Sequence, residues 1–208
     1  MKLIIFGATG TVGKELVKQA VEKGYTVTAF VRNPEKTQIE NHSNLIINKG
    51  DVLNLTEVEN ALKNQDVILC ALGDGKIGKI RALGTKNIIE AMNKTGQKRL
   101  ICQTTLGMGE SYGNLNFMWK HIMFGMLLKR AFQDHQLQEQ FILNSNLDYT
   151  LIRPSALTDG EITNHYKVGF DGNFKKLSLK ISRADVADFM LQQTATTRYS
   201  KKAVSISN

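Results

Sequence analysis

Residues 3–36, "LIIFGATGTVGKELVKQAVEKGYTVTAFVRNPEK", decide the fold. The stretch opens on an apolar run, Leu3 to Phe6, with no polar alternation, which predicts a strand covered on both faces. Gly7, Gly10 and Gly13 follow, and from Val12 to Lys23 the apolar residues Val12, Leu16, Val17, Ala20 and Val21 recur at helical spacing. Gly24 supplies the stop, and "YTVTAFV" begins a second strand. In a strand–turn–helix unit of this kind one glycine makes the turn and one lets backbone approach a pyrophosphate. A third lets helix and strand pack closely, and the helix N-terminus stabilises the phosphate charge. That context raises GxxGxxG above a chance glycine triplet and predicts a dinucleotide site.

The second strand ends on "VRNPEK". About 20 residues beyond such a loop, NAD-binding chains carry an acid that accepts the ribose 2′-hydroxyl. A carboxylate there would repel a 2′-phosphate, whereas the Arg32 guanidinium forms paired bonds with one. The expected cofactor is therefore NADP(H), preferred over NAD(H). A surface arginine ending a strand is the plainer reading of Arg32. Asp51-Val52 closes a third strand in "NLIINKGDV" and is expected at the adenine, a reading compatible with Asp51 starting a helix.

Outward from this unit the alternation continues. Thr56-Glu57-Val58-Glu59 reads as a capping box, "DVILCAL" as a fourth strand, "GTKNIIEAMNK" as a helix and "RLICQTT" as a fifth strand. Residues 106–118 are rich in Gly, Asn and Met, residues 119–144 read as helical, and "LDYTLIRP" is a sixth strand. Residues 155–180 have no clear period, Ser182 to Asp185 cap a last helix, and "AVSIS" is a last strand. The prediction is a single α/β domain over 1–208, a Rossmann-like doubly wound parallel sheet with helices on both faces. The loop-rich segments 106–118 and 155–180 are expected over the carboxyl ends of the strands, covering a ligand crevice.

Composition narrows the class. With 208 residues, 42% of them hydrophobic and 22% charged, the chain is long enough for one full core and reads as globular. The richest apolar stretch, "FMWKHIMFGMLL", is broken by Lys120, His121 and Gly125, so no membrane span is expected. With Met1 directly before a strand no signal peptide is expected, and Cys70 and Cys102 in apolar runs read as reduced, buried thiols. A cytoplasmic protein is the expectation. The formal charge of +8 comes from scattered basic residues without a block, so nucleic acid is not the expected partner. His121 and His165 lack metal-ligand spacing, and no metal site is expected.

Taken together, "FGATGTVGKELV", "VRNPEK", "GDVLN", "CALG", "LDYTLIRPSALTDG" and "ISRADVADFML" resemble an atypical short-chain dehydrogenase/reductase. The similarity is to the NmrA-like, NAD(P)-binding branch that includes flavin reductase/biliverdin-IX-beta reductase. It implies Gly7, Thr9, Gly10, Thr11 and Val12 around the pyrophosphate, Arg32 at the 2′-phosphate and Asp51-Val52 at the adenine. Leu72-Gly73 would flank the ribose and nicotinamide. Thr105 matches a serine of the flavin reductase with Thr104 its neighbour, and His135 matches a histidine. The chain departs from ordinary short-chain dehydrogenases, whose Tyr-x-x-x-Lys pair is missing from "AFQDHQLQEQF".

Thr105 reads either as a hydrogen bond to the acceptor or carboxamide, or as a strand-end hydroxyl. His135 reads as a proton donor, as a phosphate ligand, or as an exposed histidine on a polar helix face. Arg153 before Pro154 reads as a loop anchor held by a carboxylate, with Asp134 and Glu139 its expected partners, or as a substrate-binding cation. The stretch Phe117, Met118, Trp119, Met123, Phe124 and Met126 reads as core or lid, or as a bed for a flat substrate. Lys76, Lys79 and Arg81 read as loop cations, solvated or drawing in an anion. The implied function is an NADPH-dependent oxidoreductase passing a hydride to a planar small-molecule acceptor such as a flavin, quinone or tetrapyrrole. The alternative is a non-catalytic NADP(H)-sensing regulator with a protein partner, and a third reading is an isomerase or dehydratase of a sugar nucleotide.

Overall fold

The computed structural model describes residues 1–37 and 39–208. At its centre β1 (Lys2–Phe6) pairs in parallel with β2 (Thr26–Val31) on one side and β4 (Val67–Cys70) on the other. The full order is β3 (Leu45–Lys49), β2, β1, β4, β5 (Arg99–Gln103), β6 (Asp148–Pro154), β10 (Lys202–Ser207) and β8 (Lys167–Val168). All neighbours are parallel except the short edge strand β8, which runs antiparallel to β10. Strand order reverses between β1 and β4, where a Rossmann-like sheet opens its ligand crevice.

Alternate side chains of β1 explain the missing polar alternation. Leu3 and Ile5 point into the layer with α1 (Thr11–Glu22) and α5 (Arg183–Gln192). Ile4 and Phe6 join the opposite layer, with α2 (Leu55–Leu62), α3 (Ile80–Thr95) and α4 (Lys129–Leu143). Helices cover both faces, and the sheet is doubly wound as expected. Cys70 and Cys102 are register partners on β4 and β5, both free thiols buried in the second layer. Among the described residues no helix is long and apolar enough to cross a membrane.

Local details depart from expectation in three places. The helix after β3 is capped by Asn54, whose side chain accepts the Glu57 amide, while the Glu57 carboxylate takes the Asp51 amide at 2.7 Å. The box is thus Asn54 to Glu57, not Thr56 to Glu59, because the chain turns two residues earlier through Asp51 Oδ1 accepting from Leu53 N–H at 2.9 Å. The material after residue 118 is a π-helical segment, Met118–Leu127, before α4 begins. Residues 155–180 hold β7 (Ala156–Thr158), β8 and the start of β9 (Lys180–Ser182), β7 and β9 forming a small second sheet. As expected, Ser182 caps α5 by accepting the Asp185 amide at 2.9 Å.

Candidate functional site

Each glycine of the first loop is required by something specific. Gly7 has φ +82°, and a Cβ there would collide with the Ala71 carbonyl at the end of β4. A Cβ on Gly13 would run into the Gly7 carbonyl and lie 2.8 Å from Ala8 Cα, so only glycine lets α1 approach β1 this closely. Gly10 is the N-cap of α1 and donates its N–H to the Gly7 carbonyl at 2.9 Å. Among the described residues no side chain caps this helix, and its first turn holds no acid, so its leading amides are left to the crevice that Gly10, Thr11 and Val12 line. That is an anion cradle by geometry and charge.

The crevice is a cleft of about 830 Å³ across the carboxyl ends of the strands, within the usual size for small-molecule sites. Gly7, Thr9, Gly10, Thr11 and Val12 line its start, Val52, Leu72 and Gly73 its middle, and Thr104 and Thr105 its floor beyond β5. Arg32 stands exposed at one extremity and also borders an adjoining hollow with Asn33, Lys49, Gly50, Asp51 and Glu57. Asp51 belongs to that hollow and not to the main cleft, its carboxylate engaged in the turn to Leu53. Both loop-rich segments contribute lining to the cleft, Leu106 and Leu115 from the first and Ser155, Ala156, Leu157 and Leu179 from the second.

The other extremity is aromatic. Trp119 and Phe124 of the π-helical segment line the cleft together with Leu128, which joins the two helical segments, and Ala131 and Phe132 of α4. The Phe124 and Phe132 rings stack with centroids 4.5 Å apart, and Trp119 lies 5.4 Å from Phe124. None of residues 118–127 is buried, and Phe117 and Met126 are 72% and 73% exposed. The stretch is therefore a lid with its inner rings toward the cleft, and not core.

Ionic groups under this roof are paired more tightly than the sequence suggests. Arg153 is buried and gives Glu139 two bonds, Nε to Oε1 at 3.0 Å and Nη2 to Oε2 at 2.6 Å, and gives Glu110 a third from Nη1 at 2.8 Å. Thr104 donates its hydroxyl to Glu139 Oε1 at 2.6 Å, so its side chain is engaged below the cleft. Asp134, an expected partner of Arg153, instead accepts the Arg81 and Ala82 amides at 3.0 Å each, capping α3 from a neighbouring helix. Arg81 is not a loop cation either; it is buried in the first turn of α3, with Nη1 2.6 Å from Asp74 Oδ1. Burial works against the Asp74 charge, yet the Lys79 amide, Arg81 and further amides hold its carboxyl below the usual range. Lys76 borders the cleft and Lys79 does not.

Thr105 is half-buried on the cleft floor, its hydroxyl donating to the Leu106 carbonyl at 3.3 Å, a strand-end role that leaves its oxygen able to accept. His135 is not exposed on a polar face. It lines the cleft one helical turn from Phe132, and its Nδ1 lies 3.0 Å from Gln138 Oε1. Burial, and next the Arg81 guanidinium, push its pKa down to about 3, so the ring is neutral and is no proton donor near neutrality. Ser155 lines the cleft with its Oγ buried and, among the described residues, without a hydrogen-bond partner, the kind of orphan that a ligand's polar atom completes. The uncapped helix, the bare glycine cradle and this orphan together fit an elongated dinucleotide.

Sequence reasoning missed Asp74, Glu110, Gln138 and Phe132. Asp74 carried a signal, an aspartate just ahead of the helical run that begins at Ile80. The others declare themselves only through partners far along the chain.

Residues 7–197 match the family described as NAD(P)H-binding, and the chain belongs to it. It is 29% identical to an uncharacterized chloroplastic protein of Arabidopsis thaliana, At2g34460, over 99% of this chain and 76% of that one. The structure resembles the oxidoreductase ylbE from Lactococcus lactis with a TM-score of 0.85 and 27% identity, covering 100% of this chain and 91% of the other. The fold is also that of ChuY, an anaerobillin reductase from Escherichia coli O157:H7, with a TM-score of 0.78 and 23% identity over 99% and 96% of the two chains.

Proposed function

We propose that the protein is an NADPH-dependent reductase of a planar acceptor, of the flavin, quinone or tetrapyrrole class. The observation that carries this reading is the continuity of one cleft, from an uncapped helix N-terminus and Arg32 at one end to stacked aromatic rings at the other. The Gly7–Gly13 cradle would hold the pyrophosphate, Arg32 the 2′-phosphate, and Leu72, Gly73 and Ser155 the nicotinamide end. When bound, the cofactor supplies the hydride. Trp119, Phe124 and Phe132, packed on one another, offer a flat acceptor one aromatic wall that orients it and excludes water from that face. Thr105 positions the acceptor or the carboxamide. Lacking a Tyr-x-x-x-Lys pair and with His135 neutral, the site leaves the acceptor's proton to solvent. The buried thiol pair suits a reducing compartment, in keeping with a cytoplasmic protein.

The test is NADPH oxidation followed by absorbance with a flavin, a quinone and a bilin as acceptors. Turnover with at least one, faster with NADPH than with NADH, supports the proposal. Tight NADPH binding with no turnover of any acceptor refutes it, and leaves the non-catalytic NADP(H)-sensing reading in its place.

A further inference from the structure

His135 has a fixed polarity that its neighbours dictate. Gln138 is fully buried, and its amide nitrogen donates to Thr85 Oγ1 at 3.0 Å and to Cys102 Sγ at 3.3 Å. The Cys102 thiol donates to the Gln103 carbonyl at 3.6 Å, which leaves its sulfur an acceptor toward Gln138. With both amide hydrogens spent, Gln138 turns its oxygen to His135, 3.0 Å from Nδ1. An oxygen at that distance requires the ring hydrogen on Nδ1. A neutral imidazole carries only one, and burial beside Arg81 keeps this ring neutral. Nε2 is then a bare lone pair, to which no described residue donates, on the cleft-facing side of α4 beside Phe132.

We infer that His135 Nε2 is a fixed hydrogen-bond acceptor in the acceptor subsite, selecting planar substrates that bear a ring imide or lactam N–H over quinones. An isoalloxazine offers such an N–H at N3, and a bilin offers lactam N–H groups. A quinone presents only carbonyl oxygens, which would set lone pair against lone pair and leave both unsatisfied. The inference rests on the planar-acceptor reading and adds a rule of selection to it.

Two measurements test it. The first titrates the NADP⁺-loaded protein with lumiflavin and with 3-methyl-lumiflavin, which lacks the N–H, following flavin fluorescence. Wild type is expected to bind lumiflavin roughly tenfold more tightly, the weight of one hydrogen bond to a part-buried group. His135→Ala is expected to shrink the ratio to about twofold or less without changing NADPH affinity. Equal binding of the two flavins by wild type, or an undiminished preference in His135→Ala, overturns the inference and leaves the reductase reading standing. A parallel loss of NADPH affinity assigns the bond to the cofactor carboxamide and overturns it as well. If neither flavin binds, the acceptor reading fails and carries the inference with it. The second measurement is nitrogen-15 NMR of the imidazole, which needs no ligand and no variant. The expected signature is an Nδ1–H tautomer that does not protonate down to about pH 4.5, well below the ordinary histidine range. An Nε2–H tautomer, or titration near the ordinary value, overturns the inference directly.

Discussion

Glu139→Ala should destabilise the protein through the charge it abandons. Arg153 and Glu139 are 3% and 4% exposed, and the carboxylate accepts two bonds from the guanidinium and one from Thr104. Removing one partner of a buried pair costs about 3–5 kcal/mol, chiefly because the other charge is left uncompensated. Glu110 remains 2.8 Å from Nη1, but its side chain is 67% exposed and screened, so it offsets only part of the loss. Water entering from the cleft relieves a further part. These corrections place the expected loss near the low end, about 3 kcal/mol, or a fall in Tm of roughly 6–12 °C for a chain of this size. Urea unfolding followed by circular dichroism reads it directly. Two controls locate the cause. Glu110→Gln should cost about 1 kcal/mol or less, and the double substitution Glu139→Leu with Arg153→Met should recover most of the stability, since no charge is stranded. A loss below about 1 kcal/mol for Glu139→Ala would refute the reasoning, and so would a double variant no better than the single one.

Arg32→Ala should cost about 1.5–3 kcal/mol of NADPH affinity, the weight of bonds to a charged group, and leave NADH nearly unchanged by calorimetry. Equal losses would mean that Arg32 supports the loop and does not read the phosphate. Gly13→Ala forces a methyl group into the Gly7 carbonyl, so α1 must move off β1; a loss of about 1–3 kcal/mol on melting, with NADPH binding weakened at least about tenfold, is expected. Because His135 is depressed from 6.5 to about 3, the unfolded chain takes up a proton that the folded one refuses between those values. Stability is therefore flat above about pH 6.5 and falls on acidification, by up to about 1.4 kcal/mol per pH unit from this group. His135→Phe should flatten urea midpoints measured between about pH 6 and pH 4.5, above the range where Asp74 and Asp185 contribute. Thr105→Ala should slow NADPH-dependent acceptor reduction by less than about tenfold in steady-state assays, since a proton donor would be worth about 10²–10⁴-fold.

What the sequence determined by itself was the frame. Unbroken apolar runs, helical spacing and glycine stops are local quantities, and they announced the parallel layers, the crevice and the Gly7–Gly13 cradle. Arg32 was legible because its place follows from counting along the chain from that cradle. What the tertiary structure alone decided was the state of the polar groups. Asp134 could not be told from Glu139 as the partner of Arg153 until packing put one beneath Thr104 and the other at the N-terminus of α3, across separations of 35 and 53 residues. Arg81 read as a loop cation until burial and Asp74 claimed it. His135 read as a proton donor, a phosphate ligand or an exposed histidine until Gln138 on its own helix, held by Thr85 of α3 and Cys102 of β5, set its polarity. The physical reason is one of range. Backbone conformation follows from neighbours within a few residues, whereas charge, protonation and hydrogen-bond direction follow from desolvation and from partners that meet only once the sheet has closed.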